Sequence, residues 1–390
     1  MSGPRDAARA QPAPPRADRQ PADEVMLFLG GDVMTGRGID QALAHPSSPE
    51  LYEPWVRDAR EYLRLAERAN GPIAGPVPDN YVWGDALAEL DRMRPDLRIV
   101  NLETAVTVAD RPFPGKGIHY RMHPANVACL TAAGLDCCVL ANNHVMDWGR
   151  DGLAETLAML RQAGLHTAGA GEDADAAFAP AVLPLPGGAR LLLFAFATES
   201  SGVPSAWSAT DRRPGVALLP ELGAASAEFA AERIAAQRRS GEPVVVSIHW
   251  GGNWGCQVPE THRAFAHRLV DLGAADLVHG HSSHHPLPAE VYRDRLILYG
   301  CGDLINDYEG IGEHDGLRSD MGCLYFAALE RSTGKLRSLR IVPLQLRRLR
   351  LAQPEPEALR WLEQLLTLGG RALGSGLSQH PMGGWRLEWE

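Results

Sequence analysis

The amino-acid sequence predicts an α/β protein in which helices cover two β-sheets. Apolar runs typical of buried strands alternate with segments of helical periodicity, from EVMLFLGGD at residues 24–32 to ADLVHGH at residues 275–281. Such alternation favours parallel strands with helices packed on them. Two later segments, AEVYRDRLILYGCGD and CLYFAALERSTGKLRSLRIVPLQL, have the pattern of hairpins. The hairpins predict added antiparallel strands and a two-sheet sandwich.

The individual elements follow from these patterns. Strands, some with the loop that follows them, are predicted at 24–32, 96–103, 136–144, 189–200, 242–252 and 275–281. Helices are predicted at 53–69, 83–93, 125–133, 151–163, 221–238, 260–271 and 355–368. The two hairpins are predicted to turn at Arg293-Asp294 and at Gly334. We expect a disordered tail at 1–23, one catalytic domain at 24–350, and a C-terminal helix and extension at 351–390.

Composition narrows the class of function. The chain has 390 residues and a net charge of −10, which argues against a general nucleic-acid binder because phosphate neutralisation needs a basic face. The Pro- and Ala-rich tail contains no apolar signal segment, and no apolar run reaches the roughly 18 residues that span a bilayer. None of the six cysteines forms a C-x-x-C pair. We therefore expect buried free thiols, no membrane anchor and a cytoplasmic location.

Polar residues follow five of the predicted strands at the point where each strand ends. The clusters are Gly-Gly-Asp32, Asn101-Leu102-Glu103, Asn142-Asn143-His144, His249-Trp250-Gly251 and His279-Gly280-His281. Because the carboxyl ends of parallel strands meet at one sheet edge, we expect these side chains to converge. Carboxylate, amide and imidazole groups are ligands for divalent metals, and crowded carboxylates repel unless a cation lies between them.

Each residue also has a structural interpretation. Asp32 alone would cap the following helix, and Glu103 would lie on a solvated loop. Asn142 or Asn143 would hold a left-handed turn. His249 alone would be a hydrogen-bonded core histidine. Their joint occurrence at strand ends favours a metal site.

Six ordered motifs carry a family resemblance. They are LGGDVMTGRGID, NLETAVT, ANNHVMDWG, VSIHWGGNW, GHSSHHP and LILYGCGDLINDYEG. Together they resemble the CapA family of poly-γ-glutamate capsule synthesis proteins, over about residues 25–330. That family resembles the calcineurin-like metallophosphoesterases. The resemblance implies a four-layer α/β/β/α sandwich with the metal site at the C-terminal strand ends.

The resemblance also implies a site. The implied metal ligands are Asp32, Glu103, Asn143, His249, His281 and His284, with Glu103 in the bridging position. His284 matches only if two residues rather than one separate the last two histidines. Met34 stands where the first motif of the superfamily has a histidine. His279 and His285 would support the ligands. The cofactor would be one or two divalent ions of Mn, Zn, Fe or Ca.

Four further residues are candidates for binding substrate. Arg37 and Arg121 would hold an anionic group, since guanidinium binds carboxylate or phosphate bidentately. Ion pairing is the alternative for both. Trp250 and Trp254 flank the motif of His249 and would form aromatic walls for a peptide or sugar, with core packing as the alternative.

Three functions are compatible with this site. The first is a hydrolase or transferase acting on a phosphoester or a peptide-like polyanion, with His144 as general acid and Asp147 orienting it. The second is a metal-dependent peptide epimerase using His144–Asp147 and one of the later histidines with Asp303 or Asp307. Loss of a ligand at Met34 favours a single metal and this second function. The third is a non-catalytic assembly factor of capsule synthesis, which we would expect to carry a membrane anchor.

Overall fold

The computed structural model describes residues 23–312 and 315–390, so the predicted tail lies outside the described residues apart from Asp23. The helices of the described part are α1 (Arg37–Ala42), α2 (Arg60–Asn70), α3 (Ala86–Met93), α4 (Ala128–Thr131), α5 (Gly149–Gln162), α6 (Ala174–Phe178), α7 (Ala224–Gln237), α8 (Glu260–Asp271) and α9 (Pro356–Arg371). Its strands are β1 (Glu24–Val33), β2 (Leu97–Leu102), β3 (Ala105–Val106), β4 (Arg121–Met122), β5 (Cys137–Val139), β6 (His166–Ala168), β7 (Ala170–Gly171), β8 (Ala181–Pro184), β9 (Arg190–Thr198), β10 (Gly215–Val216), β11 (Leu218–Leu219), β12 (Val244–His249), β13 (Leu277–His281), β14 (Ala289–Tyr292), β15 (Arg295–Leu298), β16 (Asp303–Ile305), β17 (Met321–Glu330), β18 (Leu336–Arg347), β19 (Arg350–Ala352), β20 (Ser375–Gln379) and β21 (Trp385–Trp389).

Two sheets form the centre of the molecule. The larger sheet has the order β20-β21-β18-β17-β1-β2-β5-β6, with β16 beside β1 and β19 beside β18. The smaller sheet has the order β11-β9-β12-β13-β15-β14, with β8 beside β9. Strands β1, β2, β5 and β6 are parallel, and so are β9, β12, β13 and β15. The predicted α/β class is confirmed, and the later hairpins do add antiparallel strands.

Side-chain alternation along β9 shows how the layers are stacked. Leu191 and Leu193 point into the core that the two sheets share, whereas Leu192 and Phe194 pack on the opposite side with residues of α7 and α8. This follows because successive residues of a strand face opposite sides of the sheet. Helices α3, α4 and α5 contribute buried leucines to the core of the larger sheet. The result is the four-layer α/β/β/α sandwich.

The two sheets meet close to the ends of β1 and β13. His279 Nε2 donates to the carbonyl oxygen of Gly30 at 2.9 Å. A Cβ atom at Gly31 would lie 1.8 Å from the carbonyl oxygen of Gly302, so a side chain there would exclude β16. The glycine before Asp32 therefore lets β16 approach the end of β1.

Most predicted elements are present, with differences at their ends. The predicted helix at 53–69 begins at Arg60, because Glu53 turns inward to pair with Arg37. The hairpin turn at Arg293 and Asp294 is confirmed, with φ of 50° and 63°. In the predicted segment 275–281 the strand begins at Leu277 and continues to His281.

The C-terminal region contains a hairpin that was not predicted. Strands β20 and β21 pair with each other, and β21 joins the larger sheet through β18. Among the described residues, no helix combines the length and the apolar character needed to cross a bilayer. All six cysteines are free; five are buried and Cys256 is exposed.

Candidate metal centre

The polar residues at the strand ends lie together at one edge of the sandwich. Asp32 stands near the end of β1 in the larger sheet. His249 and His281 are the last residues of β12 and β13 in the smaller sheet, where they are paired in register. All three side chains are at most 1% exposed. Residues from both sheets therefore share one buried space.

A first group of possible metal ligands consists of Asp32, His249 and His281. One ligand atom from each lies within 4.8 Å of the others. His249 Nδ1 and His281 Nδ1 face each other at 2.8 Å, and His281 Nδ1 lies 3.8 Å from Asp32 Oδ1. Burial holds the pKa of both rings well below the usual range, so both are neutral imidazoles. Neutral imidazole is the form that binds a metal.

A second group consists of Asp32, His284 and Asp303, with the same spacing between ligand atoms. His284 Nδ1 lies 2.8 Å from Asp303 Oδ1, and Asn306 donates to the other oxygen of Asp303 at 2.8 Å. Asp303 was not among the predicted ligands. Its sequence signal is a second Gly-Asp pair after an apolar run, LILYGCGD, which repeats the pattern of Gly31-Asp32.

Glu103 and Asn143 lie beside these groups. Glu103 Oε1 is 3.9 Å from His249 Nε2, and Asn143 Oδ1 is 3.1 Å from the same nitrogen. Asn101 donates to Asp32 Oδ1 at 2.8 Å and to Glu103 Oε2 at 3.3 Å. Asp32 belongs to both ligand groups, so the geometry favours Asp32 as the shared carboxylate, the role that the resemblance implied for Glu103.

The carboxylates are crowded in a buried space, where the nearby positive groups His284 and Lys116 only partly offset their repulsion. Burial raises the pKa of Asp32 to about 7, and the nearby Asp303 adds to the rise. Burial, followed by the charge of Asp32, raises the pKa of Glu103 well above its usual range. A divalent cation would remove this penalty, because it favours the ionised form of every carboxylate near it. The donor set therefore fits a divalent metal.

A hydrogen-bonded relay determines which nitrogen of His281 is free. The carbonyl of Gly30 can only accept, so His279 carries its hydrogen on Nε2 and accepts at Nδ1. Ser247 Oγ lies 3.1 Å from His279 Nδ1 and 2.9 Å from His281 Nε2. The serine hydroxyl thus donates to His279 and accepts from His281. This leaves a lone pair on His281 Nδ1, the nitrogen that faces His249 and Asp32.

His144 has the geometry of a proton donor beside the ligands. Its Nδ1 lies 2.7 Å from Asp147 Oδ2, and its Nε2 lies 3.7 Å from Glu103 Oε1. Asn142 Oδ1 accepts the backbone N–H groups of His144 and Val145, both at 3.0 Å, and so holds the turn that presents the ring. Burial lowers the pKa of His144 to about 4. Lys116, which was not predicted, also contacts Asp147.

Both candidate arginines are occupied by other groups. Arg37 is buried, pairs with Asp307 through Nε at 3.1 Å and Nη2 at 2.5 Å, and donates from Nη1 to Glu53 at 2.8 Å. Arg121 donates to the carbonyl of Ala109 at 2.6 Å and stacks on Trp148. These contacts favour the ion-pairing and packing alternatives for the two arginines over substrate binding.

The two tryptophans differ in position. Trp250 is 2% exposed, stacks on His262 and donates to the carbonyl of Tyr299 at 2.8 Å, which favours core packing. Trp254 is partly exposed and lies against His284 and His285, with ring centroids at 5.4 and 6.2 Å. Trp254 is therefore the one of the pair that lies at the edge of the metal centre.

Two predicted accessory positions also have defined contacts. His285 Nδ1 lies 3.1 Å from the carbonyl oxygen of Pro286, and His285 belongs to neither ligand group. Met34 is buried, and its sulfur lies 3.8 Å from the hydroxyl of Tyr308. Met34 replaces the histidine of the first superfamily motif. The second group nevertheless has three donors, because Asp303 joins Asp32 and His284.

Comparisons with known proteins agree with the resemblance to the CapA family that the sequence motifs indicate. The sequence profile of a family described as "Bacterial capsule synthesis protein PGA_cap" matches residues 26–308. A protein of Mycobacterium tuberculosis named "probable polyglutamine synthesis accessory protein" is 44% identical over 360 residues, which are 92% of this chain and 94% of that protein. The "PGA biosynthesis protein CapA" of Bacillus subtilis is 25% identical over 293 residues, which are 75% of this chain and 66% of that protein.

One solved structure is also similar. It is described as a novel phosphatase from Mycoplasma pneumoniae. The TM-score is 0.44 and the sequence identity is 12%, over 86% of this chain and 96% of that chain.

Proposed function

The chain belongs to the bacterial capsule synthesis protein PGA_cap family, and on this premise we propose that it is a metal-dependent enzyme of capsule-type or polyglutamate synthesis. It acts as a hydrolase or transferase on a phosphoester or a peptide-like polyanion. The observation that carries the proposal is the pair of ligand groups around Asp32, one completed by His249 and His281 and the other by His284 and Asp303.

The chain's own residues then have distinct tasks. Divalent cations held at these groups would lower the pKa of water and polarise a substrate oxygen. His144 presents Nε2 to the centre, where it would accept the proton that the attacking water loses and pass it to the leaving group, while Asp147 fixes the ring through Nδ1. Trp254 covers the edge of the site over His284 and limits the access of water.

Metal analysis and activity together test the proposal. Protein purified without chelators is analysed for bound metals, and phosphate release is followed with p-nitrophenyl phosphate and Mn²⁺. We expect one or two ions per chain and a loss of about 10²- to 10⁴-fold in kcat for His144→Ala. His166→Ala, at an exposed histidine, is the matched control and keeps wild-type activity. Protein that binds no divalent ion would overturn the proposal.

Epimerisation of a peptide is the second candidate, and a specific feature favours it. Two His–Asp pairs, His144–Asp147 at 2.7 Å and His284–Asp303 at 2.8 Å, would supply two acid–base groups. In this case His284 and Asp303 move protons instead of holding an ion, and a single metal is held by the first ligand group. Incubation of a glutamyl peptide in D₂O separates the two chemistries. Deuterium at Cα without cleavage supports epimerisation, and release of phosphate or of a shorter peptide supports hydrolysis.

If the assays detect neither hydrolysis nor epimerisation, a non-catalytic role in assembly remains. The Mycobacterium tuberculosis relative carries the word "accessory" in its name. If His144→Ala supports polymer synthesis in cells as well as wild type does, the assembly role is favoured over either chemistry.

A further inference from the structure

Lysine is rare in this chain, and one of the two lysines lies beside the candidate metal centre. Lys116 and Lys335 are the only lysines among 38 Lys and Arg residues. The side chain of Lys335 is 51% exposed and pairs with Asp294, a surface arrangement that arginine would serve as well. The side chain of Lys116 is 15% exposed. Lys116 is thus the lysine whose ammonium group lies mostly within the fold, in a chain that otherwise uses arginine.

The contacts of Lys116 connect the proton donor with a metal ligand. Its Nζ donates to Asp147 Oδ1 and to the backbone carbonyl of Asn143, and it lies 3.1 Å from His144 Nδ1. The second oxygen of Asp147 accepts from His144 Nδ1. Asp147 thus accepts hydrogen bonds from both Lys116 and His144. The backbone carbonyl of Asn143 accepts from the same ammonium group of Lys116.

The surroundings fix the ammonium in place. The ring of Trp207 lies over Nζ at 5.1 Å from its centroid, and Trp207 is itself fully buried. Attraction of a cation to an aromatic face adds to the ion pair. A compact ammonium directs its hydrogens to acceptors that are not coplanar, whereas guanidinium is planar and larger. Because Nζ is already used by these partners, Lys116 is not a substrate-binding cation.

We propose that Lys116 is a positioning residue that fastens the Asn143–Asp147 turn, and thereby sets both the ring of His144 and the side chain of Asn143 against the metal centre. This inference rests on the proposed function. The positions of the proton donor His144 and of the candidate ligand Asn143 then depend on one ammonium group, which the loop before β4 contributes.

Three variants test the role: Lys116→Met removes the charge, Lys116→Arg keeps it, and Lys335→Met removes the other lysine. With p-nitrophenyl phosphate and Mn²⁺, we expect both Lys116 variants to lose about 100-fold in kcat with KM within a factor of three, as misplacement of a catalytic group predicts. Mn²⁺ affinity falls about tenfold, as loss of ligand support predicts. Lys335→Met keeps all wild-type values.

Hydrogen exchange measured by mass spectrometry gives a readout that needs neither metal nor activity. In metal-free protein, the peptide covering residues 142–148 is expected to exchange at least tenfold faster in both Lys116 variants, with other peptides unchanged. Wild-type exchange in Lys116→Met overturns the proposal. Wild-type kcat in Lys116→Arg overturns it as well, because charge alone would then suffice. If the unmodified protein neither binds Mn²⁺ nor releases phosphate, the proposed function fails, while the exchange result still decides the role of Lys116.

Discussion

Asp32 and Asp303 are paired in register on the parallel strands β1 and β16. The close approach of these strands at Gly31 and Gly302 brings both carboxylates to the same sheet edge. Both belong with His284 to the second ligand group, and Asp32 also belongs to the first. A carboxylate common to two groups of ligands is the arrangement expected of a centre for two neighbouring ions.

Replacing Asp303 should therefore remove one ion and spare the other. In Asp303→Asn the second group loses a charged ligand, while Asp32, His249 and His281 are unchanged. We expect a protein that binds two ions to retain one, as measured by elemental analysis after dialysis. Asp294→Asn, at an exposed carboxylate paired with Lys335, is the control and should bind the wild-type amount. Equal metal content in Asp303→Asn and wild type would contradict a second site at Asp303.

The fold could be predicted largely from the sequence because its buried parallel strands are continuous apolar runs. The hairpin of β20 and β21 was missed for the opposite reason. In β20 only Ser375 is buried, and in β21 only Trp385 and Leu387 are, so neither strand stands out as an apolar run. The start of α2 was misplaced because Glu53 pairs with Arg37, a tertiary contact that periodicity does not contain.

The residues of the candidate site also fall into those that could be predicted from the sequence and those that could not. Asp32, His249 and His281 could be found because they stand at strand ends, which converge in any such sheet. The place of Asp303 beside Asp32 requires β16 to return to β1 after more than 260 residues, which strand patterns alone do not specify. The contacts of Lys116 with the 143–147 turn arise from a loop without periodicity. Arg37 and Asp307 pair across 270 positions, so the sequence left ion pairing and substrate binding both open.

Ser247→Ala should weaken metal binding without touching a ligand directly. The substitution leaves His279 Nδ1 and His281 Nε2 without their shared partner, so the ring of His281 loses the contact that keeps its Nδ1 free. We expect Mn²⁺ or Zn²⁺ affinity to fall about 10-fold, the lower end of the range for such supporting contacts. Competition with a chromogenic chelator measures it. Ser332→Ala, at an exposed serine, is the control; unchanged affinity in Ser247→Ala would refute the relay.

Arg37→Met should lower stability, since it leaves Glu53 and Asp307 buried without a counter-charge. Breaking a buried pair in this way costs about 3–5 kcal/mol of unfolding free energy. Urea unfolding followed by tryptophan fluorescence measures the change. Arg60→Met removes the exposed pair with Asp58 and should leave the urea midpoint close to the wild-type value. A raised KM with wild-type stability would instead support the substrate-binding role predicted from sequence.

Asp32 should contribute less to the stability of chelator-treated protein as pH rises from 4 to 7. Buried neutral histidines such as His144 act in the opposite direction below pH 6.5, so the contribution of Asp32 is measured as the difference between wild type and Asp32→Asn. The pKa of Asp32 is about 7 in the metal-free fold, whereas the ordinary pKa of an aspartate is 3.8, so between these values the folded state holds a proton that the unfolded chain has released. The contribution of Asp32 to stability then falls with rising pH. Thermal unfolding of EDTA-treated protein at a series of pH values tests this. The stability of wild type relative to Asp32→Asn should fall across this range, and addition of Mn²⁺ should raise wild-type stability at pH 8.

Substitution of the two tryptophans of one motif should affect different properties: stability for Trp250, and kinetics for Trp254. Trp250→Ala empties a buried site against His262 and Tyr299, and we expect a loss of about 3–5 kcal/mol in unfolding free energy. Trp254→Ala removes a partly exposed ring from the edge of the metal centre, so stability should change by less than about 1 kcal/mol. Its effect should fall on KM or kcat. Urea unfolding and steady-state kinetics on both variants separate the two effects, and a large loss of stability in Trp254→Ala would show that its ring belongs to the core rather than to the entrance of the site.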